Sequence, residues 1–197
     1  MLRIGLTGGI GTGKSTASKI LKELGAFIFD ADKEAKKILL SNETIKSELI
    51  SEFGTDIMTV DGNVDNNKLA RVAFQDQDHQ LTLNTIVHPY VFKEIDKNFD
   101  KELDGGKHDI FVVDAALIYE SGADTHMDYV IVITALIKTR MERALARETL
   151  SREEILKRMD LQWPEEDKTS LADFVIHNDG STEELRKNIN DIYTEIV

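Results

Sequence analysis

The glycine-rich segment 8–15 constrains the fold of this chain more than any other part of its sequence. It reads Gly-Gly-Ile-Gly-Thr-Gly-Lys-Ser, follows the apolar run 2–6, and opens a segment, 15–24, in which apolar residues recur with helical spacing. Small residues between a strand and a helix allow backbone N–H groups to face phosphate oxygens. The pattern predicts a phosphate-binding loop for a nucleoside triphosphate; the alternative is a glycine-rich turn that caps a helix.

The residues of this loop have separate predicted tasks. Lys14 is expected to reach the β and γ phosphates, and the Ser15 hydroxyl is expected to bind Mg²⁺. Backbone N–H groups at the start of the following helix are expected to hold the phosphates. The loop residues predicted to bind the nucleotide are Gly8, Gly11, Thr12, Gly13, Lys14, Ser15 and Thr16.

Four further apolar runs predict strands, at residues 26–29, 110–113, 129–133 and 174–177. Segments with helical periodicity separate them, and uninterrupted apolar strands are typical of parallel sheets covered on both faces. We therefore expect one α/β domain over residues 1–197, with a five-stranded parallel sheet flanked by helices and its chemistry at the carboxyl ends of the strands. Residues 60–64 predict a tight turn or small hairpin.

Composition excludes several classes of protein. The chain has 24 Lys plus Arg against 36 Asp plus Glu, a net charge of −12, which disfavours broad binding to nucleic acid. It has no Cys, which excludes disulfides and Cys-ligated metals and fits a reducing compartment. The longest nearly unbroken apolar stretch, residues 129–137, is far short of the ~20 residues of a membrane span. We expect a cytoplasmic protein without a membrane segment or secretory signal.

Two local patterns limit the reaction. Many GTPases read guanine with Asn-Lys-x-Asp, whereas Asn67 and Lys68 are followed here by Leu69 and Ala70, so guanine specificity is disfavoured. Asp114 ends the third apolar run and is expected to help bind Mg²⁺; a strand-end turn residue is the alternative. Ala115 follows it where motor ATPases usually place a catalytic Glu, which favours transfer to an acceptor over hydrolysis.

Three arginines are expected on one side of a helix over residues 136–148. Arg140, Arg143 and Arg147 are spaced by three and four residues, which brings them to neighbouring positions on a helix. Arginine supplied to a transferring phosphoryl group offsets the charge of the transition state. We predict a lid that brings Arg143 and Arg147 over the phosphates, with a solvated charged face as the alternative.

Two further residues are candidates for acceptor chemistry. Asp32 lies just after the second predicted strand, where a carboxylate can orient an attacking hydroxyl; a helix N-cap is the alternative. His88 precedes Pro89 within a helical pattern, so it marks either a substrate contact or a helix break with a buried histidine. Another small-molecule kinase and a non-catalytic nucleotide-binding switch are the competing functions.

Taken in order, these motifs resemble one family, the dephospho-CoA kinases, which phosphorylate the ribose 3′-hydroxyl of dephospho-CoA in the last step of coenzyme A synthesis. The resemblance spans nearly the whole chain. The segments that carry it are residues 6–16, 30–32, 86–89, 143–147 and 172–181. The resemblance implies a P-loop kinase fold with a helical acceptor-binding lobe and a lid. It also implies ATP and dephospho-CoA as substrates and Mg²⁺ as cofactor. A monomer is favoured. The implied sub-regions are a core at 1–31, 105–135 and 172–197, the acceptor lobe at 32–104 and the lid at 136–168.

The resemblance also implies roles for individual residues. Asp32 matches the proposed base, and Lys14 and Arg143 match groups that act on the transferring phosphate. Further implied contacts are Arg147 and Asn178 for the nucleotide and His88 for the acceptor. The sequence departs from the family pattern at Ala116, where Pro is expected, at Arg140, where Gln is usual, and at Asn66, where Arg is common. Arg71 or Lys68 is the expected substitute for that missing arginine, and Arg71 is taken as substrate-binding.

Overall fold

Five parallel strands form one sheet in the order β2-β3-β1-β4-β5. The computed structural model describes all residues, 1–197. The strands are β1 Leu2–Thr7, β2 Phe27–Asp30, β3 Ile110–Asp114, β4 Tyr129–Thr134 and β5 Phe174–His177. All four pairings are parallel, so the carboxyl ends of the strands share one edge. The predicted five-stranded parallel sheet is confirmed.

Nine α-helices connect and cover the strands. They are α1 Lys14–Glu23, α2 Ala31–Ser41, α3 Glu43–Phe53, α4 Asn66–Ala73, α5 Gln77–Gly105, α6 Ile137–Leu145, α7 Arg152–Asp160, α8 Glu165–Leu171 and α9 Thr182–Ile196. Short 3₁₀ turns cover Thr55–Ile57 and Ala123–His126. No helix is both long enough and apolar enough to cross a membrane.

The main core lies between the sheet and helices α1 and α9. Ile4 and Leu6 of β1, the central strand, are buried with Ile20 of α1 and Ile189 of α9. All five residues of β3 are buried. Because helices cover the faces of such a sheet, ligands bind where the strands end and the loops begin. The functional groups therefore collect at the carboxyl edge.

The chain divides into two compact units. One unit contains Met1–Asp30 and Ile95–Val197, and the other contains Ala31–Glu94. The second unit is helical and has its own buried residues, which include Ile45, Leu49, Ile57, Val64, Leu69 and Ala73. Its predicted turn at residues 60–64 is confirmed, because Met58 and Val64 form an antiparallel bridge around it. The assignment of the lobe and the lid to particular tasks stays a prediction.

Three local features differ from the sequence expectation. Helix α5 continues through Pro89, so the helix-break alternative for His88 and Pro89 does not hold. Val87, Val91 and Ile95 are buried at helical spacing on both sides of the proline. Helix α6 ends at Leu145, before the predicted boundary. Helix α8 was not predicted, because its seven residues are mostly polar and begin just after a proline.

The buried face of β1 generates a stability prediction. Ile4 is 1% exposed and Ile137, at the start of α6, is 60% exposed. We expect Ile4→Ala to lower the free energy of unfolding by about 2–5 kcal/mol, because it leaves a cavity in a packed core. The matched change Ile137→Ala is expected to alter it by less than about 0.5 kcal/mol. Urea denaturation measures both, and equal losses would contradict the assignment of the core.

Candidate active site

The loop between β1 and α1 offers backbone donors at the carboxyl edge of the sheet. Gly13 caps the N-terminus of α1 with φ 99°, a left-handed conformation, and a Cβ there would collide with the Asn178 amide. The N–H groups of Gly11, Gly13 and Ser15 donate to no acceptor in the protein. A helix N-terminus with unpaired donors favours anions. This loop is therefore built to receive phosphate oxygens.

Buried polar side chains hold the loop from the β5 side. The Asn178 side-chain amide donates to the Thr12 carbonyl at 2.7 Å, and Arg143 Nη1 donates to the Asn178 carbonyl at 2.8 Å. Arg143 Nη1 also lies 3.5 Å from the Thr12 carbonyl. Asn178 is buried and Arg143 is half-buried. The structure thus brings together three predicted nucleotide-binding residues that are far apart in the chain.

Lys14 and Asp114 form an ion pair beneath the loop. Lys14 Nζ lies 2.5 Å from Asp114 Oδ1, and the two side chains are 17% and 10% exposed. Asp114 is placed there because it ends β3, the strand next to β1. Two residues predicted separately from the sequence are therefore direct neighbours. The exposed Ser15 stands beside Lys14 in the first turn of α1.

The three arginines do not share one face. Arg140 is 6% exposed, and its Nε donates to the Ile10 carbonyl at 2.9 Å. Burial lowers the pKa of the Arg140 guanidinium, while the nearby Glu165 carboxylate acts in the opposite direction. Arg147 is exposed and lies beyond the end of α6, because the chain turns away there. The expectation of one helical arginine face is wrong.

Three residues of this site were not predicted from the sequence: Lys168, Glu165 and Gln162. Lys168 is fully buried, with its Nζ 2.7 Å from Glu120 Oε1 and 3.2 Å from the Ala116 carbonyl. Glu165 accepts from the N–H of Gly9 at 3.1 Å, and Gln162 accepts from the N–H of Ile10 at 3.4 Å. Glu165 and Lys168 are spaced like an ordinary pair on a solvated helix, so the sequence carried no signal that distinguished them.

The predicted acceptor residues belong to the second unit. Asp32 is exposed in the first turn of α2, after β2, and His88 is half-buried in α5 with its ring 5.9 Å from the Phe92 ring. Arg71 is exposed in the last turn of α4. Lys68, the other candidate for the missing arginine, donates from Nζ to the Met58 carbonyl at 2.7 Å. That bond leaves Arg71 as the more available cation.

Comparison with known proteins identifies the family of this chain. The family model described as dephospho-CoA kinase matches residues 2–184. The chain belongs to the dephospho-CoA kinase family. A dephospho-CoA kinase of Carboxydothermus hydrogenoformans is 42% identical over 94% of this chain and 90% of its own length. One of Corynebacterium glutamicum is 38% identical over the full length of both chains. The family assignment therefore covers both compact units.

A solved structure supports the same assignment. The dephospho-CoA kinase from Campylobacter jejuni superposes with a TM-score of 0.70 and 29% identity, over 98% of this chain and 96% of that one. The chain thus has the P-loop kinase fold, with the phosphate loop after the central strand. The resemblance inferred from the ordered motifs is confirmed.

The phenol of Tyr119 generates a second prediction. Tyr119 is 6% exposed, its ring stacks on that of Trp163, and its hydroxyl has no hydrogen-bond partner. Burial raises its pKa to about 12. Because the folded state keeps the proton that the unfolded state loses above pH 10, stability is complete below pH 10 and falls as pH rises from about 10 to about 12.

We therefore expect Tyr119→Phe to raise the free energy of unfolding by about 1 kcal/mol at pH 7, since it removes an unsatisfied buried hydroxyl. It should also flatten the alkaline decline. Urea denaturation at pH 7, 10 and 11 measures both effects. A loss of stability at pH 7 would show that the hydroxyl makes a favourable contact.

Proposed function

We propose that this chain transfers the γ-phosphate of ATP to the ribose 3′-hydroxyl of dephospho-CoA, giving coenzyme A and ADP. Membership of the dephospho-CoA kinase family over both compact units is the observation that carries this function. The hydroxyl oxygen attacks the γ-phosphorus, the bond to the β–γ bridging oxygen breaks, and ADP leaves with that oxygen. The cytoplasm as compartment and a monomer as the working form are parts of the same proposal.

Residues of the phosphate loop supply the nucleotide contacts in this proposal. The unpaired N–H groups of Gly11, Gly13 and Ser15 donate to phosphate oxygens. Gly8, Thr12, Lys14 and Thr16 complete the proposed nucleotide site, with the N–H groups of Thr12 and Thr16 bonded to the carbonyls of Gly9 and Gly13. Lys14 Nζ moves its charge from Asp114 toward the β and γ phosphates. The unpaired donors at the N-terminus of α1 support this role.

Asp114 and Ser15 fit a magnesium site by their chemistry. A carboxylate at the end of β3 and an exposed hydroxyl in the first turn of α1 are hard oxygen ligands, which Mg²⁺ prefers. Lys14 holds only one of the two carboxylate oxygens of Asp114 in the contact described above. Mg²⁺ bound there would neutralise charge on the β and γ phosphates.

Arg143 and Arg147 are proposed to act on the transferring group, and Asn178 on the nucleotide. Arg143 already contacts the loop through the Thr12 carbonyl, which supports a role for its positive charge beside the transferring phosphate. Arg147 is exposed beyond α6 and is proposed to reach the phosphates when the middle of the predicted lid 136–168 closes, because Arg140 and Glu165 near its two ends already bond to the loop. Asn178 directly follows β5, and its hydrogen bond to the Thr12 carbonyl of the loop supports this role.

Residues of the helical unit are proposed to hold the acceptor. Asp32 orients the 3′-hydroxyl and accepts its proton as the oxygen bonds to phosphorus. His88 and Arg71 contact the rest of the acceptor. Arg71 takes the place of the arginine that is common in the family at position 66, where this chain has Asn. The exposed position of Arg71 and the bond of Lys68 to Met58 support this choice. Residues 32–104 are thus proposed as the acceptor lobe.

An acceptor panel tests the function. Enzyme, ATP and Mg²⁺ are combined with dephospho-CoA, shikimate, gluconate, a nucleoside monophosphate, or water alone, and ADP release is followed. We expect strong stimulation by dephospho-CoA alone. A different stimulating acceptor would indicate another small-molecule kinase, and equal release in all samples would contradict acceptor phosphorylation.

Asp32→Asn tests the proposed base. It keeps the shape of the side chain and removes its charge, so we expect kcat to fall by about 10² to 10⁴ while the KM for dephospho-CoA changes little. Glu34→Gln is the matched control, because Glu34 lies in the same turn of α2 and pairs only with Lys37 in its own helix. Near-normal kcat in Asp32→Asn, or a defect confined to KM, would exclude Asp32 as the base.

A further inference from the structure

Three side chains that follow β4 in the chain form hydrogen bonds with the phosphate loop at Gly9 and Ile10. They are those of Arg140, Gln162 and Glu165. Glu165 Oε1 accepts from the Gly9 N–H at 3.1 Å, and Gln162 Oε1 accepts from the Ile10 N–H at 3.4 Å. Arg140 Nε donates to the Ile10 carbonyl at 2.9 Å. The N–H groups of Gly9 and Ile10 and the Ile10 carbonyl are therefore all hydrogen-bonded to side chains. The N–H groups of Gly11, Gly13 and Ser15, in contrast, are unpaired.

The contact is packed as well as hydrogen-bonded. A Cβ on Gly9 would collide with both the Arg140 guanidinium and the Glu165 carboxylate. The backbone of Arg140 also closes on Gly11, where a Cβ would meet its carbonyl oxygen. The two charged side chains thus lie directly on the glycine backbone, and the loop cannot shift there without moving them.

The carboxylate of Glu165 places a negative charge beside a loop that has to bind a polyanion. Its side chain is 18% exposed, so water screens this charge poorly. Arg140 Nη1 lies 3.3 Å from Glu165 Oε1, and the Arg140 side chain is 8% exposed. The second oxygen of Glu165 accepts no hydrogen bond, and Arg140 is the cation that pairs with this carboxylate.

We propose that Arg140 and Glu165 act as a charge-balanced positioning pair, which fixes Gly9 and Ile10 and keeps the carboxylate from repelling the phosphates of ATP. Glu165 holds the loop through the Gly9 N–H, and Arg140 both neutralises Glu165 and holds the Ile10 carbonyl. Neither residue is assigned a contact with the reacting atoms. This inference rests on the proposed function for its kinetic consequences, but its effect on ATP binding does not require any acceptor.

A charge cycle at this pair separates the proposal from a purely structural role. Arg140→Gln leaves the Glu165 charge uncompensated, so we expect the KM for ATP to rise by at least about tenfold, with the KM for dephospho-CoA within about twofold of wild type. Glu165→Gln keeps an acceptor for Gly9 and removes the negative charge, so its KM for ATP should be unchanged or lower. Adding Glu165→Gln to Arg140→Gln should restore the KM for ATP to within about threefold of wild type.

Ligand binding gives a readout that is independent of turnover. Trp163 is the single tryptophan of the chain and follows Gln162 directly, so its fluorescence can be titrated with ATP, ADP or adenosine. The Arg140→Gln defect should appear with ATP and ADP but not with adenosine, which carries no phosphate. If wild type binds ATP but does not phosphorylate dephospho-CoA, the proposed function fails while this titration still tests the pair.

A second ion pair supplies the control. Arg186 and Glu23 join α9 to α1 at 2.7 Å with side chains 50% and 57% exposed, away from the loop. Arg186→Gln and Arg186→Gln/Glu23→Gln are expected to leave both KM values at wild type, because exposed pairs contribute little.

The proposal is overturned if Arg140→Gln leaves the KM for ATP unchanged, or if the double variant is as defective as Arg140→Gln alone. It is also overturned if adenosine binding weakens as much as ATP binding. Melting curves establish which variants are folded at the assay temperature. If Arg140→Gln is not folded, Glu165→Gln decides: a tenfold higher KM for ATP would mean that the carboxylate itself, and not charge balance, is required.

Discussion

The structure depends on a constraint in the phosphate loop, which has to keep backbone N–H groups unpaired and still hold one conformation. Unpaired donors at Gly11, Gly13 and Ser15 are available to phosphate only because other parts of the loop are fixed by side chains. Asn178 and Arg143 hold the Thr12 carbonyl, and Arg140 and Glu165 hold the other end of the loop at Ile10 and Gly9. The loop is thus preorganised by groups outside it.

This constraint explains how an acidic chain can bind an acidic substrate. The net charge is −12, yet the cations nearest the loop are buried or half-buried and have defined partners. Lys14 is paired with Asp114, and Arg140 with Glu165. Ion pairs in such surroundings interact more strongly than pairs in water, because screening is weaker. We therefore expect the local arrangement of charged groups, more than the net charge, to determine phosphate binding.

Much of the fold and part of the site followed from local pattern. The five apolar runs predicted the strands, and the phosphate-loop motif predicted a strand, a loop and a helix in that order, because these features depend on neighbouring residues. The alternative of a helix break at Pro89 does not hold, because buried residues on both sides of the proline outweigh the lost hydrogen bond. Helix α8 was missed because it is held by long-range contacts of Glu165 and Lys168 and not by periodicity.

The sequence by itself determined the parallel sheet, the phosphate loop and the family. The sheet and the loop follow from contiguous patterns of residues, and the family follows from the order of the motifs along the chain. Only the tertiary structure decided what Arg140, Glu165 and Lys168 do. Glu165 and Gly9 are 156 positions apart, and Arg140 and Ile10 are 130 positions apart, so no local pattern connects them. The packing of distant segments decides whether a charged side chain is solvated or is held against a partner. That packing places the charged side chains of Arg140 and Glu165 against the phosphate loop, although each lies in an ordinary helical sequence.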